Sequence, residues 1–142
     1  MSVVRLWAAG AFLLANLACV SRTESAAADS PVASGVYDVV VHGTPDAFHV
    51  LHNGKWVQVN HRSLATLIRK DGWKGEPIRL ISCSSGACPT GVGQNLANKL
   101  GARVTAPSDT LWIHPNGALT IGSTPTQNTG VWSIFLPGGN LP

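Results

Sequence analysis

Charge is scarce in this chain. Only 12% of its 142 residues are Asp, Glu, Lys or Arg, and the formal net charge is +3. There is no run of Lys or Arg and no interleaving of basic with aromatic residues, so the footprint of a nucleic-acid binder is missing. The apolar run Leu6–Val20 falls short of the roughly 20 residues that cross a bilayer. Cysteine is limited to Cys19, Cys83 and Cys88. No second close cysteine pair accompanies the last two, so neither a metal nor another cofactor is expected. No internal repeat is present. Ser82, Ser84 and Ser85 lack the glycine that a serine-hydrolase elbow needs two residues before its nucleophile. What remains is a globular chain, 44% hydrophobic, of a length that makes one domain and not two.

The segment Met1–Ala28 reads as an export signal and not as part of the fold. Arg5 supplies a positive start, Leu6–Val20 an apolar stretch, and Ser25-Ala26-Ala27-Ala28 the small residues that signal peptidase reads. The mature chain is expected to begin near Asp29, in the periplasm or outside the cell. A lipoprotein signal is the alternative, because Cys19 follows the small Ala18, although Asn16 stands where leucine is wanted. Apart from such a lipid anchor no membrane contact is expected. Residues 29–35 form a Ser/Ala/Pro linker, and 36–142 the folded domain.

Within that domain, Val36–Val41 has the apolar density of a central strand. Ala47–Leu51 and Lys55–Val59 flank Asn53-Gly54, a two-residue hairpin signal. Ser63 opens a helix that buries Leu64, Leu67 and Ile68 and ends at Lys70-Asp71-Gly72. Ile78–Ser82 is the next central strand, expected beside the first and parallel to it. A Ser/Gly/Pro loop leads to a helix over Gly91–Leu100, stopped by Gly101. Arg103–Ala106 is a third strand. Thr110–His114 and Ala118–Ile121 make a second hairpin around Pro115-Asn116-Gly117, and Val131–Leu136 is the last strand. Strands alternating with helices predict a mostly parallel sheet with helices on its faces.

Two strand ends carry chemistry. The first runs into His42-Gly43, the other into Ser82-Cys83. Parallel strands would bring an imidazole beside a thiol, the minimum for a cysteine nucleophile and its acid/base partner. Gly43 leaves room for a substrate, and its N–H together with that of Cys83 could bind an oxyanion. The small residues Ser82 and Ser84 leave space around the thiol. Asp109 and Trp112 follow the third strand and are expected at the same sheet end, as one wall of a cleft. The bland reading stays open: in an exported protein two remaining cysteines suggest a Cys83–Cys88 disulfide.

The order His-Gly, then Ser-Cys, resembles the caspase-like cysteine peptidases of clan CD. A closer likeness, from Tyr37 to Ile121, is to the small C-terminal domains of bacterial Rhs-type polymorphic toxins. It rests on Val41-His42-Gly43, on Arg79 to Gly86, on Gln94 to Gly101, on Ala106 to Trp112 and on Pro115-Asn116-Gly117. The resemblance implies a small three-layer α/β domain, His42 as general acid/base, Cys83 as nucleophile and Gly43 as an oxyanion donor. It implies a monomer acting on a protein or peptide, with an immunity protein as partner if the domain is a toxin. The chain departs from caspases in its Ile81-Ser82-Cys83 context and in lacking an Arg pair that would read an acidic side chain. The second reading is a silent binding or effector module on the same scaffold, with Cys83–Cys88 locked.

Overall fold

A computed structural model describes residues 35–139 and the backbone of 3–5. The rest of the expected signal, Cys19 within it, and residues 29–34 of the linker lie outside the described residues.

The described strands are β1 (Val3–Arg5), β2 (Tyr37–Val40), β3 (His42–Gly43), β4 (Phe48–His52), β5 (Lys55–Val59), β6 (Ile78–Ile81), β7 (Val104–Pro107), β8 (Leu111–Ile113), β9 (Leu119–Ile121) and β10 (Trp132–Phe135). Two helices interrupt them, α1 (His61–Lys70) and α2 (Val92–Leu100). The main sheet has the order β1-β2-β6-β7-β10. Its first four strands are parallel, and β10 closes the far edge antiparallel to β7. The protein is thus mixed α/β, mostly sheet, with a partly parallel core.

Local chemistry explains the element ends. Asn53 and Gly54 both take positive φ, 50° and 75°. The tight β4–β5 turn requires this of its two central residues. The first helix starts two residues before the Ser63 expected to open it. Its cap is Asn60, whose side chain accepts the Ser63 N–H at 2.9 Å, so Ser63 is the residue being capped. Gly101 ends α2 with φ 66°. That left-handed conformation is the usual glycine stop of a helix.

The expectation of helices on both faces of the sheet is corrected. Val39, Val41, Leu80, Val104 and Ala106 share one apolar cluster with Leu64, Ala65 and Ile68 of α1 and Leu96, Ala97 and Leu100 of α2. Both helices therefore cover the same face. The reason is topological: β2, β6 and β7 advance across the sheet in one direction, and crossovers of one hand then drop both helices on one side. The opposite face packs Val40 and Ile81 against Leu111, Ile113 and Ile121 of the β8–β9 hairpin. Each fully buried Leu or Ile contributes about 1.5–3 kcal/mol.

A bidentate ion pair crosses the strands on that second face. Asp38 stands opposite Arg79 in the β2–β6 register. Arg79 Nε and Nη2 each donate to an Asp38 carboxylate oxygen at 2.7 Å. The guanidinium also lies 6.0 Å from the Trp132 ring centroid. At the far end of the sheet, Gln94 Nε2 donates to the Leu136 carbonyl at 2.7 Å, stitching the segment after β10 to α2.

Candidate functional site

The β2–β6 ladder pairs Val39 with Leu80 and Val40 with Ile81. The Val41 N–H continues it by donating to the Ile81 carbonyl at 3.3 Å. The ladder ends there: His42 begins β3, and Cys83 lies in the turn that follows β6. Side chains alternate along a strand. Val40 and Ile81 face the β8–β9 hairpin, and Cys83 belongs to the same apolar cluster. The His42 ring meets Trp56 edge to face, centroids 4.6 Å apart at 73°. Trp56 in turn packs against the cluster that contains Cys83. His42 thus touches this cluster through Trp56, and Cys83 belongs to it directly.

Gly43 shows how tight the seam is. A Cβ there would collide with Ser82 Oγ and stand 2.8 Å from the Cys83 carbonyl oxygen. Glycine lets the chain after His42 lie directly on the Ser82–Cys83 corner. Ser82 is fully buried, and its Oγ has no hydrogen-bond partner among the described residues.

His42 is 4% exposed and belongs to β3, which turns away to pair with β4, His42 opposite His49. Burial, followed by the nearby His49, lowers its pKa to about 4. At neutral pH the imidazole is uncharged, so it is equipped to take a proton before it gives one.

Cys83 is also 4% exposed. Its Sγ accepts the Leu111 N–H at 3.3 Å. Cys83 is disulfide-bonded, and Cys88 is a free, half-buried thiol. The Cys83–Cys88 bridge is therefore not formed, and the partner of Cys83 lies outside the described residues.

The loop after Cys83 is held by its own backbone. Ser84 takes φ 55° and donates its N–H to the Asp109 carbonyl at 3.0 Å. Ser85 Oγ donates to the Ser82 carbonyl at 2.7 Å, and the Gly86 N–H donates to the Pro107 carbonyl at 2.8 Å. A Cβ at Gly86 would collide with the Ala106 carbonyl. Gly86 is thus used for close packing on β7, and Ser84 is held by the link that follows it. Asp109 reaches the seam through its carbonyl; its carboxylate accepts the Thr110 N–H at 2.7 Å. Trp112 is half-buried and donates its indole N–H to the Gly122 carbonyl at 2.8 Å, bracing the hairpin. An open cavity of about 330 Å³ lies one loop away, between Gly86, Ala87, Pro89 and Ser108 and the β10 residues Ile134 and Phe135.

Sequence reasoning missed the Asp38–Arg79 pair, whose members lie four residues before His42 and Cys83 respectively. Only the strand register reveals it, because the two residues are 41 apart in the chain.

Residues 14–121 match the model of a family described as a domain of unknown function, DUF8616. No curated protein and no solved structure matches the chain.

Proposed function

The chain belongs to the DUF8616 family, whose description assigns no activity, and we propose that it is an exported, cysteine-peptidase-like acyl-transfer domain whose full-length precursor is disulfide-locked at Cys83. The observation that supports the reading is the seam: β2 and β6 are adjacent parallel strands, and the Gly43 that follows His42 is pressed on the Ser82–Cys83 corner. The scaffold proposed is a caspase-like one, reduced to a single helical layer. The export part rests on the Leu6–Val20 run and the small residues after it. The substrate class is protein or peptide, with an immunity protein as the partner of a toxin form.

The chemistry begins with a thiol reductant, which converts the Cys83 disulfide to two thiols and is itself oxidised to a disulfide. Cys83 Sγ then adds to a substrate carbonyl carbon while neutral His42 accepts the thiol proton. The backbone N–H groups of Gly43 and Cys83 would face the developing oxyanion. Protonated His42 passes its proton to the leaving amine as the C–N bond breaks. Water, deprotonated by His42, releases the acyl group and restores the thiol. Burial leaves His42 neutral at rest, and with a pKa of about 4 it is a weak base toward a thiol.

One observation favours the second reading, a silent binding module: both members of the dyad are buried and Cys83 is bonded. A thiol-directed electrophilic probe decides between them. After mild reduction, the folded protein should be labelled at Cys83, and His42→Ala should slow labelling by about 10²–10⁴-fold. Cys88→Ser should leave it unchanged. Labelling of Cys88 alone, with Cys83 reached only in denaturant, would establish the silent module instead.

A further inference from the structure

The main sheet ends in an uncovered strand. Among the described residues β10 is its last strand, and it pairs with β7 alone. Main-chain groups of an antiparallel strand point alternately toward one neighbour and the other. The Ser108 N–H donates to the Val131 carbonyl and the Val131 N–H to Ser108 Oγ, both at 2.9 Å, so the main chain of Val131 turns toward β7. Ser133 and Phe135 turn the same way, and Trp132 and Ile134 turn outward. The register agrees: Trp132 stands opposite Pro107, which has no N–H to give. Beyond Ile134 the edge closes, because the Leu136 carbonyl is taken by Gln94 Nε2 and by the Gly139 N–H. The side chains are as open as the main chain. Val131, Ile134 and Leu136 are 61, 56 and 60% exposed. Native edges carry a charge, a proline or a bulge against pairing. None of these stands between Val131 and Leu136, and the sequence has no Asp, Glu, Lys or Arg after Asp109.

We propose that the β10 edge is a dimer interface, covered by β10 of a second copy running antiparallel to it about a two-fold axis at Ser133. The inference does not depend on the acyl-transfer reading. With the axis at Ser133, Trp132 meets Ile134 of the second copy and Ile134 meets its Trp132. Each such pair exchanges both main-chain bonds, so the outward N–H and C=O groups of Trp132 and Ile134 are all satisfied. A two-fold axis makes one patch serve both sides. The side chains match as well. Trp132 packs against the hairpin-side cluster and Ile134 shares its face, so an aromatic–β-branched pair forms there on each side of the axis. On the other face Phe135 belongs to the core cluster under the helices. Val131 of the second copy comes beside it, at the open cavity that Ser133 and Phe135 line with Gln94. Ser133 meets its own copy, hydroxyl to hydroxyl. With no charge on the strand, no like charges face one another across the axis. This self-match favours a second copy over an unrelated strand. A strand this short buries little area, so the dimer is a weak one, at the low end of interface sizes. It departs from the monomer that the resemblance implies.

The test uses the full chain carrying Cys88→Ser, which removes the free thiol. Sedimentation equilibrium from about 1 µM to about 1 mM covers weak association, and this parent should pass from monomer to dimer within that range. Ile134→Pro removes an outward N–H that β7 does not use. Ile134→Lys sets like charges diagonally across the axis and covers the case in which proline disturbs the sheet. Each should raise the dissociation constant by about tenfold or more, as edge prolines and charges do, while the urea midpoint of the dilute protein stays that of the parent. Amide exchange at Trp132 and Ile134 should slow as the parent is concentrated. Ser133→Cys places a thiol at a non-hydrogen-bonded pair, the closer of the two kinds. It should oxidise to a cross-linked dimer faster than a control cysteine at the exposed Thr126. A parent that stays monomeric overturns the proposal, and so does one whose association is the same in both Ile134 variants. Cross-linking at Ser133 no faster than at Thr126 overturns it too. Protection of the Trp132 and Ile134 amides that is strong at every concentration also overturns it, because the edge is then covered by the chain's own remainder.

Discussion

Replacing Gly43 with alanine adds one methyl group at the seam between the His42 strand end and the Cys83 corner. Gly43 does not carry a positive φ, so the backbone itself tolerates alanine, and the cost is steric. The new Cβ would collide with Ser82 Oγ and sit 2.8 Å from the Cys83 carbonyl oxygen. The first neighbour is a small side chain in a fully buried position, and the second is backbone that moves only if the corner moves. Overpacking of this kind costs about 1–3 kcal/mol. Alanine returns roughly 0.5–1 kcal/mol by restricting the unfolded chain. A net loss of about 1–2 kcal/mol is expected, or roughly 5–10 °C in Tm for a domain of this size. Urea unfolding followed by intrinsic tryptophan fluorescence measures it directly. Gly43→Ala/Ser82→Ala removes the Oγ collision and leaves the carbonyl contact, so it should recover about half of the loss. A Gly43→Ala variant whose stability stays within about 0.5 kcal/mol of the parent, the range of an ordinary surface change, would show a looser seam than described. A looser seam would also part the His42 strand end from the Cys83 corner.

Acid should destabilise the protein through His42. Its folded pKa of about 4 lies below the unfolded value of 6.5, so between those pH values the unfolded chain binds the extra proton and stability rises with pH. Acidifying from pH 7.5 to 4 should cost roughly 3 kcal/mol from this group, and urea midpoints of His42→Gln should show a flatter slope over that window; an unchanged slope refutes the assignment. Asp38→Ala strands the Arg79 guanidinium, whose side chain is 17% exposed. The loss should be about 3–5 kcal/mol. Asp38→Leu/Arg79→Met should restore most of that stability, and a double variant no better than Asp38→Ala would show that the pair is not the source of the loss.

What the sequence makes legible is local. Asn53-Gly54 specifies its turn through two positive-φ positions, and Gly101 specifies the end of α2. The adjacency of the Val36–Val41 and Ile78–Ser82 segments also follows from apolar runs that only a covered parallel sheet can bury. The start of α1 is ambiguous because Asn60 and Ser63 are both capping residues, and spacing alone does not say which side chain accepts and which N–H donates. The placement of both helices on one face depends on strand order, which residue patterns do not encode. The loop from Ser84 to Gly86 misleads for a similar reason. Small residues signal either an open site or a close approach, and only β7, brought from about twenty residues downstream, distinguishes them. The state of Cys83 is not legible either, since three cysteines leave the choice of partner open.

The long crossover between β2 and β6 has a kinetic consequence. The β4–β5 hairpin needs only a tight turn and can form within microseconds. Pairing β2 with β6 instead requires closing a long loop, as the 41-residue separation of Asp38 and Arg79 measures, before any contact across it returns energy. His42 and Cys83 belong to opposite shores of that closure. Their approach waits on the slowest pairing, so on the acyl-transfer reading proposed above a nascent or partly unfolded chain would have no dyad.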